Sequence, residues 1–336
     1  MKAVGYHQSL PIDHPEALID VTLPEPAPGE RDLLVRVKAV SVNPVDTKIR
    51  RNRAPANGHA EVLGWDAVGT VERVGSGVTR FAPGDRVYYA GAINRPGTNS
   101  ELHVVDERIV ALAPRSLDDS QAAALPLTAI TAYELLFDRL GVEQGGGTGK
   151  TLLVIGGAGG VGSILIQLAR QLTGLRVVAT ASRPETRQWC LDLGAHAVID
   201  HSRPLAAELA DAGIGPVELV AALTQTEAHF AQIVESLKPF GRLAVIDDMA
   251  QLDVVKLKTK SISLHWELMF TRSLFETPDM AEQGRLLAEV ADLVDAGRIR
   301  TTAGAHFGAI TAGNLRRAHA LLESGKAQGK VVLAGF

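Results

Sequence analysis

The sequence predicts an α/β protein in which a compact β unit precedes a doubly wound parallel sheet. Two patterns carry that prediction: short alternating apolar runs over the first 115 residues, and repeated strand–helix units from about Asp118. A third observation, the glycines Gly157, Gly159 and Gly162 between a strand and a helix, indicates what the parallel sheet binds.

The chain has 336 residues, 46% of them hydrophobic and 21% charged, enough for two domains or one with a large core. A net charge of −4 gives no reason to expect nucleic acid, whose phosphates call for a basic surface. No apolar run reaches the roughly 18 residues that cross a bilayer. The opening "MKAVGYHQSL" has neither an apolar signal core nor the basic residues of a transit peptide, so a cytoplasmic location is expected. The single cysteine, Cys190, excludes an intramolecular disulfide and a thiolate zinc cluster, and its helical surroundings make it a small apolar side chain. The histidines include no H-E-x-x-H spacing. His59 and Glu61 form a close pair with ligand chemistry, and two ligands do not make a metal site.

The N-terminal runs "LLVRVKAV", "DAVGTVERVG", "DRVYYA", "SELHVV" and "RIVALAP" alternate as half-buried strands do, with Pro83-Gly84 reversing the chain between two of them. The run "LLVRVKAV" is stopped by "SVNPVD", which leaves Asn43 and Asp46 around a proline. In "DDSQAAALPLTAITAYELLFDRL" an acidic, serine-containing start suits a helix N-terminus, and the proline splits the helix in two. Strand–helix units follow from "TLLVIG" to "GRLAVID", and such continuous apolar strands belong to a sheet covered on both faces. The terminal "KVVLAGF" has no neighbouring partner, and rejoining the N-terminal β unit would make that unit discontinuous.

Gly157-x-Gly159-x-x-Gly162, with Gly160 and Val161 inside it, opens a helix directly after a strand. At such a turn glycines let the backbone approach a pyrophosphate, whose charge the first N–H groups of the helix meet. The alternative is a tight turn that binds nothing. "GGGTGKT", Gly145 to Thr151, imitates a phosphate loop but precedes its strand instead of following it. Where an NAD site usually carries an acidic residue, this chain has Ser182 and Arg183, with Arg187 one turn on. A hydroxyl and a guanidinium suit a 2′-phosphate, so NADPH is expected over NADH. The alternative for Arg183 is a solvated helix start.

The pieces "NPVD", "LGWDAVG", "PGDRV", "LPLTAITAYELL", "GGAGGVG" and "GKVVL", in this order, resemble the medium-chain dehydrogenase/reductase superfamily, and within it the zinc-free quinone oxidoreductase branch. The resemblance implies a GroES-like β domain plus a Rossmann doubly wound parallel-sheet domain. The first is expected over 1–120 and 300–336, the second over 121–299, with a cofactor cleft where they meet and a homodimer formed through the nucleotide-binding part. Zinc members carry a cysteine where this chain has Asn43 and a histidine where it has Trp65, within Gly64-Trp65-Asp66. Asparagine is a poor zinc ligand and tryptophan is none.

Without a Lewis acid, the acceptor must already be electrophilic: a quinone, or an alkene conjugated to a carbonyl. Asn43 and Asp46 are candidates for the polar shell around substrate or nicotinamide, with holding the loop the other role for Asp46. The resemblance adds Thr128 and Lys330 near the cofactor. Thr224 and Asp247 follow strands, at the edge where such sheets bind ligands. Trp266, Met269 and Phe270 recur at helix-like spacing in "SISLHWELMFTRSLF" and are candidates for core packing or for pocket lining, and Trp65 is a further candidate for pocket lining. The tyrosine that quinone oxidoreductases commonly place after their "NPxD" motif is missing from "TKIRRNRAPANG". Two other readings stay open: an NADPH-binding sensor or structural protein without turnover, and a zinc-dependent alcohol dehydrogenase.

Overall fold

A computed structural model describes residues 1–55 and 58–336, leaving Ala56 and Asn57 of the tyrosine-lacking segment outside the described residues. The chain forms two compact units, one of residues Met1–Ile130 with Phe270–Phe336, the other of Thr131–Met269.

The first unit holds strands β1 (Lys2–Tyr6), β2 (Ile19–Thr22), β3 (Asp32–Val42), β4 (Glu61–Val62), β5 (Ala67–Val74), β6 (Arg86–Tyr89), β7 (Leu102–Asp106) and β8 (Val110–Leu112). In β3 the exposed Arg36 and Lys38 alternate with buried Val35, Val37 and Ala39, so one face of the strand meets the core. The second unit supplies β9 (Thr151–Ile155), β10 (Arg176–Thr180), β11 (Ala197–Ile199), β12 (Val217–Ala222), β13 (Leu237–Val245) and β14 (Ser263–Trp266). These six pair in the order β11-β10-β9-β12-β13-β14, every ladder parallel. The order reverses beside β9, the switch point at which open α/β sheets bind ligands. Back in the first unit, β15 (Ala303–His306) and β16 (Lys330–Ala334) complete a sheet ordered β15-β16-β3-β5-β6-β8, with β7 also paired to β3. Thus β16 lies antiparallel to β3, with Val331 opposite Val42.

Against the expected boundaries at 120 and 300, the division falls at Ile130 and Phe270. The segments in between are held by the first unit. The Tyr88 hydroxyl donates to the carbonyl of Leu287 in helix Glu282–Asp295. The Thr302 hydroxyl donates to Ala124 at 3.0 Å. The predicted helix split is present: Asp118 accepts from the Gln121 amide at 2.8 Å to start Asp119–Ala123, and Pro126 opens Pro126–Tyr133. Cys190 is fully buried and burial pushes its thiol up to about 12. Glu61, paired with His59 in the sequence, instead takes Arg53 and the Tyr6 hydroxyl.

His319 lies fully buried on helix Ala312–Glu323, and neither ring nitrogen has a hydrogen-bond partner among the described residues. Burial, then the Arg50 guanidinium, lowers its pKa to about 3. The folded protein therefore keeps the ring neutral, whereas the unfolded chain takes up a proton below its ordinary value of 6.5. Stability from this neutral ring is complete above that value and is lost as pH falls from 6.5 toward 3. His319→Leu is expected to raise stability at pH 7 by about 1–3 kcal/mol, because it removes unsatisfied buried groups. It should also flatten the acid side by about 1.4 kcal/mol per pH unit, read from urea unfolding at pH 7, 6 and 5.

Candidate functional site

Each unit carries one cluster of the sequence-predicted residues. In the first, Pro44 ends β3 and opens helix Pro44–Asn52, since proline cannot donate to a ladder but suits a first helical turn. The Asp46 carboxylate turns back to accept the Asn43 amide at 2.7 Å, so Asp46 holds the loop. Burial pushes its carboxyl up to about 7, against the pull of the Asn43 amide and the Lys330 ammonium.

Sequence reasoning missed the centre of this cluster, Asp66. It is wholly buried at the start of β5. Its Oδ2 accepts from the Ser41 hydroxyl at 2.7 Å, Asn43 Nδ2 at 2.7 Å and Lys330 Nζ at 2.9 Å. Its Oδ1 takes the Leu127 amide at 2.7 Å, in the first turn of helix Pro126–Tyr133. Lys330 spends its other two donors on the Val42 carbonyl, at 3.1 Å, and on Asn43 Oδ1. All three ammonium hydrogens are thus engaged within this unit, and the Asn43 amide is oriented, oxygen to lysine and nitrogen to aspartate. The signal for Asp66 was in the sequence: it follows Trp65 in the triplet where zinc members of the resembled family carry their histidine.

Thr128 is buried and its hydroxyl donates to the Leu125 carbonyl at 3.1 Å. Trp65 and Phe270 pack edge to face, centroids 6.1 Å apart at 74°, and the indole N–H donates to Ala92 at 3.2 Å. Both are core residues of the first unit.

In the second unit the turn after β9 is pinned to β10: the Gly156 amide donates to the Thr180 hydroxyl at 3.1 Å and the Gly157 amide to the Thr180 carbonyl at 3.2 Å. A Cβ at position 162 would lie 2.4 Å from the Gly156 oxygen and 2.6 Å from that of Gly157, and one at 157 would lie 2.7 Å from Ala179 Cβ. Only glycine closes this turn. Gly159 caps helix Gly160–Leu172, and Gly159, Gly160 and Val161 are partly exposed. The amides of Gly160, Val161 and Gly162 belong to the first helical turn, which has no acceptor within the helix.

Ser182 is exposed beyond β10, and Arg183, at the start of helix Pro184–Asp192, lies 3.2 Å from Glu185. Arg187 turns inward, donating to the carbonyls of Ala181 at 3.2 Å and Val198 at 2.7 Å, so it ties the residue after β10 to the middle of β11. Thr224 is exposed after β12 and borders Gly156. Asp247 accepts from the Thr226 amide at 2.9 Å and from its hydroxyl, fixing the start of helix Thr226–Ser236. The helix-like spacing read at Trp266 is corrected: Ser263–Trp266 is a strand parallel to β13, and Trp266 ends it 56% exposed while Met269 and Phe270 are buried.

Residues 29–115 match the alcohol dehydrogenase GroES-like domain, and residues 193–333 the zinc-binding dehydrogenase family. A zinc-type alcohol dehydrogenase-like protein of Staphylococcus epidermidis is 38% identical over 99% of each chain. The chain belongs to the medium-chain dehydrogenase/reductase superfamily. Among solved members, a Rhizobium etli CFN 42 protein provisionally labelled a zinc-dependent alcohol dehydrogenase is 55% identical, covering 100% of this chain and 98% of its own at a TM-score of 0.95. Escherichia coli quinone oxidoreductase, solved with NADPH, is 26% identical over 99% of this chain and 100% of its own at a TM-score of 0.84. As a medium-chain dehydrogenase/reductase, the protein is an oxidoreductase.

The family description names zinc, and the donors here do not fit it. Among the described residues no group of three or more His, Cys, Asp or Glu side chains could hold a metal ion. The Asp66 carboxylate already receives four donors, one of them the Lys330 ammonium at 2.9 Å, whose positive charge would oppose a metal cation there. A dinucleotide does fit. The glycine turn leaves room where any Cβ would intrude, and free first-turn amides suit a pyrophosphate.

Proposed function

We propose that this oxidoreductase transfers hydride from NADPH to a quinone or to an alkene conjugated with a carbonyl, with no metal ion taking part. One observation carries the reading: the polar cluster at the end of β3 is closed around a protein cation, Lys330, on Asp66. With no Lewis acid, an unactivated alcohol has nothing to lower its hydroxyl pKa, so the acceptor supplies its own electron demand. The NADPH-bound quinone oxidoreductase supports the same reaction class. NADPH supplies the hydride. This chain's glycine turn binds the pyrophosphate through backbone amides, and the oriented Asn43 belongs to the polar shell around the reacting groups.

The expected result is NADPH oxidation, followed by absorbance, with a panel of quinones and alkenals, undiminished after exhaustive chelation. Rapid turnover of plain aliphatic alcohols that vanishes on chelation and returns with zinc would sink the reading. NADPH oxidised by no member of the panel, despite tight binding, would favour a non-catalytic binding protein.

The preference for NADPH rests on Ser182 and Arg183, because Arg187 is committed to backbone carbonyls. A charge-assisted hydrogen bond is worth about 1.5–3 kcal/mol, so Arg183→Ala should weaken NADPH about tenfold or more and leave NADH unchanged. Titration calorimetry with both cofactors measures the difference, and an equal loss for the two would remove Arg183 from the 2′-phosphate.

A further inference from the structure

The second unit buries two carboxyl groups together. Glu134 opens a π-helical turn, Glu134–Arg139, directly after helix Pro126–Tyr133, and Glu267 follows β14. They are 1% and 3% exposed. Glu267 lies against Glu134: its Oε1 is buried and receives no N–H or O–H donor among the described residues, its Oε2 accepts from Arg139 Nε at 2.8 Å, and its amide donates to Val245 in β13 at 2.9 Å. Two carboxyl groups bond to each other only when one of them carries a proton, because two carboxylates offer no donor. With one proton shared, the pair bears a single negative charge, which the single Arg139 guanidinium balances.

The position of the pair in the chain gives it a role. The chain passes from the first unit to the second between Ile130 and Thr131, and returns between Met269 and Phe270. Glu134 lies just after the first passage and Glu267 just before the second. The bond between them joins two segments distant in sequence at the places where the chain changes units. π-Helical turns are rare and cluster at functional places, so one carrying half of this bond is consistent with a device more than with ordinary packing.

We propose that Glu134 and Glu267 form a proton-held latch that ties the two crossing segments together, so that loss of the shared proton loosens both at once. The charged group on the pair is Arg139 of the π-helical turn, and Arg139 in turn faces His265 on β14, which also lies beside Arg242 of β13. Arg242 is anchored on the Leu140 carbonyl at 2.8 Å, and His265 is held toward its neutral form by burial and then by Arg242 and Arg139. Burial, and then the charge of Glu134, holds the Glu267 carboxyl well above the ordinary carboxylate range. Its folded value is raised above its unfolded one, so its contribution is complete below pH 4.5 and is lost as pH rises toward the folded value.

Hydrogen exchange read by mass spectrometry at pH 6 and pH 8.5, corrected for intrinsic rates, tests the latch on the full chain. In the unmodified protein, peptides covering 131–140 and 262–269 should lose protection together, about tenfold per pH unit over which the proton leaves, with the sheet core unchanged. Glu267→Gln keeps a donor for Glu134 without a titrating proton, and its two segments should be equally protected at both pH values. Glu134→Gln should behave the same way and stands in if the first variant does not fold. The latch is overturned if only one segment responds, if neither does, or if the glutamine variants keep the response of the parent. None of these outcomes depends on which acceptor the enzyme reduces.

Discussion

Lys330→Met will destabilise the protein by about 3–5 kcal/mol, the cost of leaving a buried carboxylate without its counter-charge. Asp66 is wholly buried and Lys330 is 3% exposed, so solvent cannot replace the missing ammonium. The substitution also strips a donor from the Val42 carbonyl and from Asn43 Oδ1. Methionine fits the lysine stem closely, which confines the effect to the charge and its hydrogen bonds. Chemical denaturation of Lys330→Met beside Lys150→Met, at an exposed loop position, measures the difference. The double variant Asp66→Asn/Lys330→Met should recover much of the loss, since a neutral amide replaces the stranded anion. A Lys330 variant no less stable than the Lys150 control would show that no buried ion pair exists. Replacing the cation should also free the Asn43 amide to rotate, so turnover should fall more than cofactor affinity in whatever fraction remains folded.

The second large effect belongs to the glycine turn. Gly162→Ala places a Cβ where the carbonyl oxygens of Gly156 and Gly157 would lie 2.4 and 2.6 Å away, too near for any real contact, and both are backbone atoms. The turn must open, carrying the first-turn amides away from the pyrophosphate. NADPH affinity should fall at least about a hundredfold, or roughly 2.7 kcal/mol, read by titration calorimetry. Gly159→Ala is the matched control: its nearest neighbour stands at 3.4 Å, and its φ of −74° suits any residue. It should retain affinity within a few-fold. Full binding by Gly162→Ala would remove the dinucleotide from this turn.

The two larger sheets, the split helix and the glycine turn were legible because each is written in local periodicity or in residues with special backbone needs. The Asp66–Lys330 pair was not. Each residue stands in a recognisable motif, but they are 264 residues apart and only the pairing of β16 with β3 brings them together. Trp266 was misread for a related reason: a short apolar run satisfies helix and strand spacings alike, and only the ladder to β13 decides between them. Arg187 matched a phosphate-binding position in sequence, yet the carbonyls of Ala181 and Val198 draw its guanidinium inward. The unit boundaries moved because tertiary packing, such as Tyr88 on Leu287, determines which unit holds a helix whose own pattern is the same in either.

The sheet position of β16, next to β3, has a consequence for biosynthesis. Thr131–Met269 is one uninterrupted stretch and holds all the strands of its sheet, so it has what it needs once its last residue clears the ribosome. The segment Met1–Ile130 emerges earlier yet must wait, with the Asp66 carboxylate short of its cation, until Lys330 is translated. Synthesis order and assembly order are therefore inverted, and the segment made first is the last to become whole.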